Sequence, residues 1–312
     1  MTSGVAFIFP GQGSQSVGMG QEFYEHEPDA KAMFEKAGQV SGYDMAALCL
    51  KGPIEQLNLT EYTQPALLTV SAIALWLLSR AGIQPCAVAG HSLGEYTAVM
   101  AAGGLRFEDA VALVRQRGRY MQDAVEAGRG LVCALLGMER SMVAEICREA
   151  SSLGVVAPAN FNAPGQIVIA GEKAAVEEAM RLAKANGCRK IIPLPVSVPV
   201  HTSLMQSAAD RLATDVAGLP MKDLTIPLIN NVEAASILTA AEVRTALIRQ
   251  LASPVLWEES VRALITMGMH TLVEVGPGKV LSGLARRIAP ELRLFNVQDR
   301  VSLAATVEAL AV

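Results

Sequence analysis

Cysteine is too scarce and too scattered here to build with. Cys49, Cys86, Cys133, Cys147 and Cys188 are odd in number and never form a C-x-x-C pair, which argues against both a disulfide framework and a zinc site. Reduced core thiols and no bound metal are the expectation. No excess of one charge appears either: 26 basic against 30 acidic residues leave a formal net charge of −4, so nothing global points to nucleic acid or an anionic membrane. The longest apolar run, 66–78, contains Thr69 and Ser71 and reads as a buried helix too short to cross a bilayer, capped by Thr63 with Pro65 in its first turn. No basic segment or cleavage site precedes the apolar strand 5–9, so a cytoplasmic protein with no secretory signal is expected. Histidine is also sparse, with His26, His91, His201 and His270 the complete set.

What is present is a 51% hydrophobic chain of 312 residues, enough for one large domain or two smaller ones. Short β-rich runs alternate with helical periodicity: strand 5–9, helices 29–42 and 65–81, strand 86–89, helices 93–103 and 108–127. This alternation predicts an α/β layer with a parallel sheet. From Gly128 the rhythm becomes βαββαβ: strand 131–138, helix 140–152, strands 155–162 and 166–171, helix 173–187, strand 189–196. That is the order of a ferredoxin-like unit. The first pattern then resumes with helix 202–217, strand 225–232, helices 240–252 and 257–268, strand 271–275 and helix 279–288. The reading is therefore a large subdomain of residues 1–127 and 198–312, with a small subdomain, 128–197, inserted between glycine- and proline-rich boundaries.

The clearest chemical statement is Gly90-His91-Ser92-Leu93-Gly94, set between an apolar strand and a helix. A serine on so tight a strand-to-helix turn needs neighbours without bulk two positions either side, which Gly90 and Gly94 supply. The helix start puts free N–H groups beside Ser92 and Leu93, where an oxyanion can be held. A serine nucleophile needs a base. His91 points away from its neighbour in such a turn, His26 lies in an acidic surface-like stretch and His270 reads as a loop residue. His201 remains, aimed by the Pro195/Pro199 segment into a cleft between subdomains. No Asp or Glu stands out to orient it, since Asp210 and Asp223 fall in exposed helical contexts. The helix ending at 250–254 offers the main-chain carbonyl of Gln250 instead.

On helix 108–127, Val114, Gly118, Met121 and Val125 form an apolar stripe, and Arg117 falls on the same side. An inward guanidinium must meet an anion, either an internal carboxylate or a ligand's, and periodicity alone leans to the internal one. The loop Phe9-Pro10-Gly11-Gln12-Gly13-Ser14-Gln15 ends a sheet strand but lacks the third glycine of a dinucleotide fingerprint. Gly276-Pro277-Gly278-Lys279 likewise lacks the spacing and the Ser/Thr of a P-loop. Both read as turns lining a site to which Gln12 can present a side-chain amide. Basic residues at Arg189, Lys190, Lys279, Arg286 and Arg287 read as solvated charge that matters only for an acidic partner.

FPGQGSQ (9–15), TQPALL (63–68), GHSLGEY (90–96), RQRGxxMQ (115–122), VPVH (198–201), QLxxPVxW (250–257) and EVGPGKVL (274–281) run in register through the chain. Together they resemble the malonyl-CoA:acyl carrier protein transacylases of type II fatty-acid synthesis. The resemblance implies an α/β-hydrolase-like large subdomain with a ferredoxin-like small one. It also implies ping-pong transfer of malonyl from CoA through Ser92 to the phosphopantetheine thiol of an acidic carrier protein, without a cofactor, by a monomer. His201 becomes the general base, Gln12 and the N–H of Leu93 the oxyanion hole, and the Gln250 carbonyl the orienter. Arg117 becomes the partner of the malonyl carboxylate, with Gln12 and His91 also in the substrate-binding set. Val200, at a position variable in that family, leaves the extender unit open. Service to a polyketide synthase or a malonate decarboxylase system is an alternative, and a serine esterase or thioesterase a further one.

Overall fold

A computed structural model describes residues 4–126, 128–194 and 198–311. Two sheets organise it. Strands β1 (Gly4–Phe9), β2 (Ala87–Gly90), β7 (Leu228–Ile229), β9 (Met269–Val275) and β10 (Arg293–Val297) form a parallel sheet. The short β8 (Ser236–Ile237) adds antiparallel at its edge, giving the order β10-β9-β1-β2-β7-β8. Strands β3 (Gly130–Leu136), β4 (Val156–Ala163), β5 (Gln166–Glu172) and β6 (Lys190–Pro193) form a separate antiparallel sheet in the order β4-β5-β3-β6. The predicted mixed α/β class with a parallel sheet is what forms.

The unbroken apolar run of β1 follows from its central place. Phe7 and Phe9 enter one core and Ala6 and Ile8 the other, because successive side chains leave opposite faces and both faces are covered. The second sheet packs the helices Arg140–Ala150 and Lys173–Ala185 on one face. Its other face, with Val132, Ala134 and Val168, forms a separate small cluster. The two sheets are tied where Phe161 N–H donates to the Val255 carbonyl at 2.9 Å and Val255 N–H to that of Ala159 at 2.9 Å. Arg140 adds ion pairs to Glu258 and Glu259.

Several expectations need correction. The helix placed at 65–81 spans Thr60–Arg80. Thr63 is inside it, giving its hydroxyl to the carbonyls of Leu57 and Leu59, and the early turns are held from outside by Gln122, whose Oε1 accepts Glu61 N–H at 2.7 Å. At 21 residues this helix is long and apolar enough to cross a membrane, contrary to the expectation, yet it is mostly buried within the fold. The strand placed at 225–232 forms only at Leu228–Ile229. Asn230 turns the chain out of the ladder, its Oδ1 accepting Val232 and Glu233 N–H. The helices Gln21–His26, Met45–Lys51, Ile54–Leu57 and Arg300–Leu310, together with β8 and β10, lie where no element is expected. Pro195 and the end of the strand placed at 189–196 fall outside the described residues.

Candidate active site

β2 runs into the helix Leu93–Ala101 through Ser92, which holds the left-handed φ of 52°. The glycines either side are fixed by contact. A Cβ on Gly90 would lie 2.0 Å from the backbone of Gly94, and one on Gly94 2.0 Å from the carbonyl oxygen of Phe9. No side chain fits at either, so the elbow closes only with glycine at both. Asn231 staples it, accepting Ser92 N–H on Oδ1 at 2.7 Å and donating from Nδ2 to the Gly90 carbonyl at 2.6 Å.

Ser92 Oγ lies 2.9 Å from His201 Nε2, and His201 Nδ1 lies 2.9 Å from the main-chain oxygen of Gln250. A carbonyl only accepts, so Nδ1 carries the proton and Nε2 is the free lone pair facing the serine. Burial pushes the His201 pKa down to about 3, Arg117 lowers it further, and the Gln250 carbonyl opposes both. The imidazole is thus a neutral acceptor. His201 itself holds φ of 60°, in a tight turn closed by Val200 N–H to the Val198 carbonyl and Thr202 Oγ1 to that of Pro199.

Arg117, 1% exposed, sits on the helix Phe107–Asp123. One Nη2 donates to Ser92 Oγ at 3.2 Å and to Gln250 Oε1 at 2.9 Å, and the guanidinium lies 5.2 Å over the ring of Tyr96. Its Nε is buried without a partner, and among the described residues no carboxylate forms an ion pair with it. The internal carboxylate that periodicity leaned to is therefore not in direct contact with it: Glu95 is linked to it through the Gln250 amide. Desolvation acts to lower its pKa, while Tyr96 and Glu95 act to raise it.

Gln12, His91, Ser92, Leu93, Arg117, Asn160, Val200 and His201 line one pocket, with Met121, Val132 and Leu194. The Gln12 side chain gives one Nε2 hydrogen to Thr60 Oγ1 at 3.3 Å, at the start of the neighbouring helix. Its backbone N–H and that of Leu93 have no partner among the described residues, whereas Ser92 N–H is taken by Asn231. His91 forms a wall, its Nε2 2.8 Å from Asn162 Oδ1 and its ring edge-on to Trp257.

Sequence reasoning missed Asn231, Asn160 and Glu95. Asn160 lies within β4 and Asn231 just past β7, each in an apolar stretch of sequence where an amide signals only that a partner must be found. Asn160 Nδ2 is buried in the pocket wall with none. Among the described residues no group of three or more His, Cys, Asp or Glu could hold a metal.

An acyl transferase domain profile matches residues 6–291. The chain is 47% identical over 304 residues to the malonyl CoA-acyl carrier protein transacylase of Salmonella typhimurium, covering 97% of this chain and 98% of that protein. It is 44% identical to that of Bacillus subtilis, covering 99% and 98%. Among solved structures, an acyl carrier protein S-malonyltransferase from Vibrio cholerae superposes with a TM-score of 0.94 at 47% identity, covering 97% of this chain and all of that one. A malonyl-transacylase in complex with its type II polyketide synthase acyl-carrier protein superposes at 0.96 and 42% identity, covering 98% and 100%. With four of its seven motifs lining one pocket and nearly its full length shared with these enzymes, the chain belongs to the malonyl-CoA:acyl carrier protein transacylase family of acyltransferases.

Proposed function

We propose that the protein transfers malonyl from malonyl-CoA to the phosphopantetheine thiol of an acyl carrier protein by a ping-pong route through malonyl-Ser92. The observation that carries this is Arg117, a buried guanidinium beside the nucleophile that, among the described residues, pairs directly with no carboxylate and is linked to Glu95 only through the Gln250 amide. A charge so desolvated calls for an anion, and a carboxylated acyl group on Ser92 brings one within reach.

Ser92 Oγ attacks the thioester carbon as His201 Nε2 takes its proton, and the oxyanion is held by the backbone N–H groups of Leu93 and Gln12. Collapse expels the CoA sulfur, which leaves with the proton from His201. The carrier thiol then gives its proton to His201 and attacks the seryl ester, and as the C–O bond to Ser92 breaks His201 returns that proton to Ser92 Oγ. The Gln250 carbonyl keeps the imidazole in the required tautomer without an acidic third member. Arg117 receives the malonyl carboxylate, with Gln12 and His91 walling the acyl site. No cofactor takes part.

The fold supports a finer division into an α/β-hydrolase-like body of residues 1–127 and 198–312 and a ferredoxin-like insert of 128–197, whose strand order β4-β5-β3-β6 suits that class. We read the enzyme as a cytoplasmic monomer serving fatty-acid elongation. Similarity to a transacylase complexed with a polyketide synthase carrier favours a second pathway for the same chemistry, separable by carrier preference. Intact-mass analysis with a panel of acyl-CoAs tests the acyl reading. Wild type should take up one malonyl group and Ser92→Ala none. Arg117→Ala should lose malonyl transfer by roughly 2–5 kcal/mol while accepting neutral acyl groups better. Equal loss for malonyl and acetyl would remove Arg117 from substrate recognition.

A further inference from the structure

Behind the nucleophile lies a carboxyl that the mechanism does not use. Glu95, one turn into the helix Leu93–Ala101, is fully buried. Its Oε2 accepts from Gln250 Nε2 at 2.8 Å and from Asn231 N–H at 3.1 Å, while Oε1 is buried without a partner. Gln250 Nε2 also donates to the Ser92 carbonyl at 3.0 Å, and Gln250 Oε1 accepts from Arg117. An ionised carboxylate only accepts, so Glu95 decides which end of the Gln250 amide faces it, and thereby turns the amide oxygen to the guanidinium. A buried anion and a buried cation are thus joined through one amide, with the backbones of Ser92 and Asn231 fixed in the same network.

We propose that Glu95 is a positioning residue for acyl recognition: through the Gln250 amide it holds and balances Arg117 before acylation, and it takes up a proton from solvent when a carboxylated acyl group reaches that guanidinium. The inference rests on the reading of Arg117 given above. The physical ground is that one buried cation cannot balance two buried anions, and the anion with an oxygen free to be protonated is Glu95. The groups that bear on its charge are Arg117 from the helix Phe107–Asp123, Glu233 from the loop after β7, and Tyr96 on its own helix. Glu233 is itself paired with Arg249. The helix Thr60–Arg80 and strands β1 and β2, also packed there, bring no charged group to bear on it. Burial raises the Glu95 pKa to about 7, with Gln250, Asn231 and Arg117 opposing, which places the exchange near neutrality.

The test compares acyl donors, because a common donor effect cancels in the ratio. For wild type, kcat/KM for malonyl-CoA over that for acetyl-CoA should fall roughly threefold to tenfold from about pH 6 to about pH 8, and in Glu95→Gln the ratio should be flat. A purely structural role would alter both donors alike at every pH. Should Glu95→Gln fail to fold, proton uptake by wild type in weak buffer with a pH indicator decides the matter. Malonyl-CoA should draw part of a proton per active site near pH 7, and acetyl-CoA none. A flat wild-type ratio, a falling ratio in Glu95→Gln, or equal uptake with both donors overturns the proposal. A malonyl adduct that forms without uptake sinks this inference alone, whereas no malonyl adduct, or equal losses in Arg117→Ala, sinks the reading beneath it.

Discussion

Ser92 and His201 share an uncommon backbone, each a side-chain-bearing residue at positive φ, and each is over-determined by its surroundings. Around Ser92 the glycine contacts and the Asn231 staple leave no other path. At His201 a tight turn and the Gln250 carbonyl do the same. The cost of these conformations is the cost of presenting a neutral Nε2 to a hydroxyl. A pH consequence follows from the depressed His201 pKa. With the folded value near 3 and the ordinary one at 6.5, the imidazole stays a base as pH falls through 6.5. Acylation by acetyl-CoA should therefore show no histidine titration between about pH 5 and 8, and a half-maximal rate near 6.5 contradicts the assignment. The same shift makes folding less favourable on the acid side. The unfolded chain takes a proton on His201 below 6.5 that the folded one refuses until about 3, so stability present above 6.5 is lost progressively across that window.

At the scale of elements, legibility followed packing. Ser92, His201 and the Gln250 carbonyl could be placed from sequence because each is tied to a strong local signal: a glycine-bracketed turn, a proline-stiffened loop and a proline-stopped helix. Arg117 was legible only as an inward charge. That no carboxylate touches it directly depends on which helices surround it, and the Thr60–Arg80 helix comes so close that a Cβ on Gly118 would lie 2.6 Å from the Thr60 carbonyl. Asn231 and Glu95 act across 139 and 136 residues of chain respectively, a separation over which local pattern carries no information. The short helices near the N-terminus and the final β10 with its helix were missed for a related reason. They are short or peripheral, and tertiary contact rather than periodicity holds them. Gln12 is legible as a lining residue, whereas the acceptor its amide meets, Thr60 Oγ1, is set by a helix 48 residues along the chain.

The whole molecule sets a pocket between a parallel sheet that carries the nucleophile and an antiparallel one that supplies Val132 and Asn160 to its wall, with Leu194 just past β6. Basic residues scattered in sequence gather at the far end of the second sheet. Lys190 and Gln166 flank Leu136 on neighbouring strands, Arg287 bonds the Gln166 side chain, and the stem of Arg189 covers Gly137. Arg286 is instead turned to the carbonyls of Pro290 and Leu292. An acidic carrier docking there predicts that charge reversal at Lys190 and Arg287 raises KM for the carrier more than KM for malonyl-CoA, and equal changes in both would discard the site. The relay itself is tested most directly by a chase. Enzyme loaded with malonyl, freed of CoA and mixed with phosphopantetheinylated carrier is followed by intact mass. The account predicts that malonyl leaves Ser92 and appears on the carrier in equal amount, and malonyl lost to water with none gained by the carrier would contradict it.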